Sequence, residues 1–163
     1  MKTTIRKFNN NDIQIITNIF NEVVNEGDAF LSEKPLTTTQ MEYRLQNEEM
    51  ATYVAVTNGT ISGCYMLRPN LKGRGNHVGN GTYFVTRPFR GKGIGYLLGK
   101  HSLEKAKEYG FKAMQFNSVV SINESSLKLW KKLVFQTIGI VPEGYRLLNG
   151  KLVDILILHK IIN

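Results

Sequence analysis

Thr82-Tyr83-Phe84-Val85-Thr86-Arg87-Pro88-Phe89-Arg90-Gly91-Lys92-Gly93-Ile94-Gly95-Tyr96-Leu97-Leu98 reads as a strand that passes through a glycine-rich loop into a helix. The first amides of a helix have no partner within it and its dipole is positive there, so such a turn can hold a polyanion. Gly91, Gly93 and Gly95 allow an approach that a Cβ would block, while Arg90 and Lys92 add positive charge. The Gly-x-Gly-x-Gly spacing differs from the Gly-x-Gly-x-x-Gly of dinucleotide folds, and no Gly-Lys-Ser/Thr of a Walker loop is present.

Downstream, Ile94, Leu97, Leu98, Leu103 and Ala106 mark a helix that should end at Tyr109 with Gly110 beyond it. Ala113 to Val120 is uncharged and β-rich, as expected of a strand buried on both faces. Asn123 can cap a helix whose Leu127, Trp130 and Leu133 face inward. Two further strands are expected at Thr137 to Val141 and Val153 to Ile162, separated by a loop around Pro142 and Gly150.

Upstream, Tyr53 to Val56, Asn58-Gly59 and Ile61 to Leu67 form a hairpin signal with a type I′ turn, and Lys72-Gly73-Arg74-Gly75 should turn the chain into a strand from His77 to Val85. Thr3 to Phe8 reads as a first strand. Asn11-Asp12 is expected to cap a helix carrying Ile13, Ile16, Ile19, Phe20 and Val23, and Thr39-Gln40-Met41-Glu42 to open a second, with a loop from Gly27 to Pro35 between them. The order β-α-α-β-β-β-α-β-α-β-β makes an α/β (α+β) chain of about seven strands and about four helices.

The 163 residues suit a single domain, 1-163, and a hydrophobic share of 42% with 21% charged residues argues against extensive disorder. The lone Cys64 makes no internal disulfide, Lys2 and Arg6 interrupt any N-terminal apolar run, and no stretch nears the roughly 20 apolar residues of a membrane span, so a cytoplasmic protein without membrane association is expected. A net charge of +8 suits a polyanionic ligand. No recognition-helix motif or aromatic-basic strand pattern points to nucleic acid. His77, His101 and His159 show no metal-ligand spacing, and no metal is expected.

Arg90-Gly91-Lys92-Gly93-Ile94-Gly95, with Val85 and Pro88 upstream, resembles the central Arg/Gln-x-x-Gly-x-Gly/Ala motif of the GCN5-related N-acetyltransferase (GNAT) superfamily. Asn123 to Phe135 resembles the Asn-x-x-Ala-x-x-Leu-Tyr-x-x-x-Gly-Phe segment that follows it, and the element order has the family's sequence. The resemblance implies a mixed central sheet splayed between its fourth and fifth strands, with acetyl-CoA as cosubstrate. By the same resemblance, the stretch Arg90, Gly91, Lys92, Gly93, Ile94, Gly95 and Tyr96 would grip the pyrophosphate. Phe84 and Val85 would offer backbone groups to pantetheine, Asn123 and Ser126 would help to hold it, and Lys128, Lys131 or Lys132 would meet the adenosine phosphates. Two departures stand out: Trp130 replaces a tyrosine that can protonate the departing thiolate, and Val134 replaces a glycine.

The implied reaction is direct attack of a neutral amine on the thioester, with an oxyanion held by a backbone N–H. Candidate catalytic residues are Tyr83, Asn80 and His77, and candidate acceptor contacts are Asn80, Asn117 and Glu26, with Asp28 beside Glu26 in the loop after the first helix. Buried amides need partners, so Asn80 and Asn117 could equally pin the strand splay. Phe116-Asn117 and Leu129-Trp130 resemble small-amine and amino-acid acetyltransferases. The competing expectations are a protein N-terminal or lysine acetyltransferase and a non-catalytic acyl-CoA-binding domain, and a homodimer is the expected assembly, if any.

Overall fold

The computed structural model describes residues 2–162. Seven strands form one sheet: β1 (Thr3–Lys7), β2 (Ala51–Thr57), β3 (Thr60–Pro69), β4 (Val78–Val85), β5 (Ala113–Val120), β6 (Gln136–Arg146) and β7 (Leu152–Ile161), in the spatial order β1-β2-β3-β4-β5-β7-β6. The helices are α1 (Ile13–Glu26), α2 (Thr38–Asn47), α3 (Ile94–Glu108) and α4 (Glu124–Lys132). The β2–β3 hairpin turns at Asn58 (φ 49°) and Gly59 (φ 81°), the two positive values that a type I′ turn requires.

All neighbours are antiparallel except β4 and β5, whose parallel ladder has only the pairs Val78↔Ala113 and Gly79↔Met114. Beyond them the strands diverge, which is the expected splay. On one face, α1 and α2 pack Ile16, Phe20, Met41 and Leu45 against Val54, Met66 and Phe84 of β2 to β4. On the other, α3 and α4 share a core that includes Tyr65, Leu98, Met114, Phe116, Trp130 and Leu158, so it continues across both halves of the sheet. Val120, Tyr145, Val153 and Ile155 form a separate small cluster on β5 to β7.

Three local expectations are corrected. Asn9, not Asn11-Asp12, opens the first helical segment: its side chain accepts from the Asn11 amide at 3.0 Å, and the Asp12 carboxylate accepts from the Asn9 amide at 2.8 Å and pairs with Arg6. The second capping box starts at Thr37, whose hydroxyl accepts from the Gln40 amide while Gln40 Oε1 accepts from the Thr37 amide. β6 runs through Pro142 to Arg146, bulging at Glu143 (φ 52°), because an edge strand can spare the N–H that proline lacks. The turn instead lies at Leu147 to Lys151, where the Leu147 amide donates to the Lys151 carbonyl.

Candidate functional site

The turn into α3 is built by left-handed backbone at Gly91 (φ 71°) and Gly93 (φ 83°), and a Cβ at either position would meet nothing within 4 Å. Two consequences follow. The conformation itself favours glycine, and the space beside it is open. The first amide donated into the helix is that of Leu97, to the Gly93 carbonyl at 3.1 Å; among the described residues the amides from Gly91 to Tyr96 have no backbone partner. Gly95 faces α4, 3.4 Å from Leu129 Cδ2 by its ideal Cβ, and so serves helix packing. Lys132 Nζ lies 4.5 Å from the Tyr96 ring centroid, bringing one α4 lysine to this end of α3, whereas Lys128 pairs with Glu124.

Strand alternation decides which β4 groups face the gap. The Val78 carbonyl accepts from the Asn70 amide and the Thr86 amide donates to the Ser62 carbonyl, so even-numbered residues spend their backbone groups on β3. Phe84 is therefore corrected: its backbone faces β3 and its ring packs against Phe20 and Phe30. The groups turned toward the splay are those of Gly81, Tyr83 and Val85. Gly81 N–H is taken by Asn80 Oδ1 at 2.7 Å and the Val85 carbonyl by Arg90 Nε at 2.8 Å, which leaves the Gly81 carbonyl, the Tyr83 backbone and the Val85 N–H.

Asn70 bridges the mouth of the gap. Its Oδ1 accepts from Asn80 Nδ2 at 3.0 Å and from Asn117 Nδ2 at 2.7 Å, tying the end of β3 to both diverging strands. Behind this bridge lies a cavity of about 440 Å³, lined from one face by Phe20, Phe30 and Arg44 and from the other by Tyr83, Phe116 and Trp130. Asn80, Asn117, Asn123 and Ser126 also line it. The two strand asparagines thus border the cavity and, through Asn70, pin the splay.

Other expected contacts lie elsewhere. Glu26 is held by Arg90 Nη1 at 2.9 Å and Arg87 Nε at 2.6 Å, outside the cavity lining. Burial alone would raise its pKa, but the hydrogen bonds from Arg90 and Arg87 hold it below the usual carboxylate value, which suits an ion pair and not a base. The Arg90 guanidinium is accordingly turned to α1, where Glu22 also meets it, and away from the glycine turn. His77 is exposed and outside the lining, and its carbonyl accepts from the Lys112 amide just before β5. Asp28 is exposed as well.

Asn123 caps α4, its Oδ1 accepting from the Ser126 amide at 3.1 Å, and Ser126 Oγ accepts the Trp130 indole N–H at 3.0 Å. The indole donor is therefore satisfied within its own helix. Tyr83 exchanges a hydrogen bond with Ser102 at 2.9 Å, and burial, only partly offset by that bond, pushes its pKa up. It stacks on Tyr65, whose hydroxyl meets His101 Nδ1 at 2.8 Å. Among the described residues no group of histidine, cysteine and carboxylate side chains is arranged to hold a metal, and no helix is long and apolar enough to cross a membrane.

Residues 16–135 match the sequence profile of the Acetyltransferase (GNAT) family. The chain belongs to that family. Among similar structures, a GCN5-related N-acetyltransferase from Kribbella flavida is 31% identical, with 98% of this chain and 97% of that one covered at a TM-score of 0.89. A GNAT phosphinothricin acetyltransferase from Sinorhizobium meliloti, solved with AcCoA, shares the fold at 22% identity and a TM-score of 0.91, covering 100% of this chain and 90% of that one. The N-acetyltransferase aca1 of Schizosaccharomyces pombe is 35% identical over 99 residues, 61% of this chain, and the chain spans about half (47%) of that protein's length.

Within the GNAT pattern, the valine in place of glycine has a structural signature: Val134 adopts φ 63°, the left-handed conformation that closes α4, where its amide donates to the Lys131 carbonyl. Sequence reasoning missed Asn70, Arg44, Arg68 and Glu49. No distinct signal in the sequence marks them, because the contacts among them are set by strand register and helix docking and not by spacing.

Proposed function

We infer that this GNAT chain transfers acetyl from acetyl-CoA to the primary amine of a small molecule or amino acid by direct attack. The observation that carries the reading is the row of unpartnered amides from Gly91 to Tyr96 opening beside the β4–β5 gap and its cavity. The fit is chemical as well as steric: free N–H donors at a helix start suit a pyrophosphate, and the open side of Gly91 and Gly93 leaves room for it. The cosubstrate would supply an activated acyl thioester.

The chain's own residues then have defined tasks. Amides 91 to 96 hold the diphosphate, the Tyr83 backbone and Val85 N–H orient the arm along β4, and Phe116 and Trp130 exclude water from one wall. Among its described lining residues the cavity has no aspartate, glutamate, histidine or lysine, so the amine's proton passes to solvent at the mouth. Trp130 donates to Ser126 and does not supply the thiolate's proton; with a thiol pKa near about 8.5, water suffices.

Release of free thiol from acetyl-CoA in the presence of an amine panel tests this. Stimulation by small amines or amino acids is the expected result. Stimulation only by peptide N-termini or protein lysines would transfer the reading to a protein acetyltransferase, and CoA binding without stimulation by any amine would reduce it to an acyl-CoA-binding domain.

A further inference from the structure

Arg44 of α2 and Arg68 of β3 both line the cavity, and a single carboxylate stands behind them. Glu49, with its side chain only 1% exposed, accepts from Arg44 Nε at 2.8 Å and, through both oxygens, from Arg68 Nη1 at 3.3 Å. Thr82 Oγ1 accepts from Arg44 Nη2 and Arg68 Nη1, each at 3.3 Å, which fixes both guanidinium groups against β4. Arg44 also lies over the Phe20 ring, 5.3 Å from its centroid.

One carboxylate cannot balance two guanidinium groups. The remaining formal charge of +1 faces a cavity whose described lining contains no acid. Arg44 Nη1 and Arg68 Nε and Nη2 make no hydrogen bond to any described residue, so donors remain on both forks. Guanidinium forks already held in place bind an oxyanion with little further loss of side-chain freedom.

The geometry points to an acceptor that carries an oxyanion, a carboxylate or a phosphorus-centred acid, close to its amine, with that anion seated on Arg44 and Arg68. This rests on the acetyl-transfer reading for the amine and goes beyond it by naming the substrate's second functional group. The apolar walls from Phe20, Phe30 and Phe116 would then take an uncharged side chain. The same net charge disfavours a bare alkylammonium ion in the cavity, so simple cationic amines are poor acceptors.

The test compares thiol release for a set of α-amino acids, their decarboxylated amines and the matching 1-aminoalkylphosphonates. The acids or phosphonates are expected to exceed the decarboxylated amines by roughly 100-fold in kcat/KM. Whichever of the two acid series leads identifies the source of the oxyanion. Arg68→Gln should collapse that ratio mainly through KM, whereas Glu49→Gln, which removes the balancing charge, should raise it.

A purely structural role for the cluster would move both variants in the same direction, and that result, or equal turnover of decarboxylated amines, overturns the proposal. Should Arg68→Gln fail to fold, the wild-type ratio and Glu49→Gln still decide. Calorimetric titration of the CoA-saturated wild-type protein with the same acids separates this site from the chemistry. Heat of binding without thiol release upholds the anion site while refuting acetyl transfer, and absence of heat from every acid refutes the site.

Discussion

The two walls of the β4–β5 gap, proposed to seat the acetyl donor and its acceptor, are made of different material. The turn before α3 presents backbone amides, so its requirement is conformational: two glycines at positive φ and an open approach. The opposite wall presents side chains, with Arg44 of α2 and Arg68 of β3 meeting at Thr82 and sharing Glu49 from the α2–β2 loop, so its requirement is the register of β3 on β4 and the docking of α2. A backbone site tolerates sequence change wherever the fold persists. A side-chain site changes its preference with one substitution.

The comparison is broken most severely at Gly93. Gly93→Glu puts bulk and negative charge where the amides converge, and the CoA dissociation constant should rise by more than about 100-fold, roughly 2.7 kcal/mol; unchanged affinity in calorimetry would remove the turn from the donor site. Asn70→Ala sharpens the comparison, because Asn70 holds the gap without belonging to the glycine turn. It should lower kcat/KM for the acceptor by about 30-fold while CoA affinity stays within about twofold, reflecting two lost hydrogen bonds of about 1 kcal/mol each. Equal losses on both sides would mean that the two walls are not separable.

Val134→Gly should have the smallest effect and touch neither wall. A β-branched residue at φ 63° carries strain that glycine lacks, so the variant should gain about 1 kcal/mol, a rise of about 2–4 °C in Tm, with CoA affinity unchanged. A fall in Tm would show that the exposed valine side chain contributes more packing than its backbone costs.

Most of the architecture was legible because it rests on local chemistry. Asn58-Gly59 dictates a hairpin, Gly110 ends a helix, and the Arg90 to Gly95 stretch announces its own turn. The errors were also local, in cap position at Asn9 and Thr37 and in the length of β6, where several neighbouring residues could have made the same hydrogen bond. The site divided along the lines of the opening contrast. The glycine turn could be read directly, but the engagement of Arg90 with Glu26 and of Asn80 with Asn70 depends on long-range partners 64 and 10 residues away. Phe84 failed for a simpler reason: strand parity, which assigns its backbone to β3, becomes visible only once the register is known.

The sheet's seam also has a mechanical meaning. With two ladder pairs joining β4 to β5, a core continuous under α3 and α4 and separate clusters on the opposite face, the two half-sheets resemble covers joined along one spine. Away from that spine, the Tyr145 hydroxyl of β6 donates to the Phe30 carbonyl at 2.8 Å and acts as a clasp. Where the ladder between β4 and β5 stops, side-chain hydrogen bonds from Asn70 and Tyr145 take over the binding of the two covers.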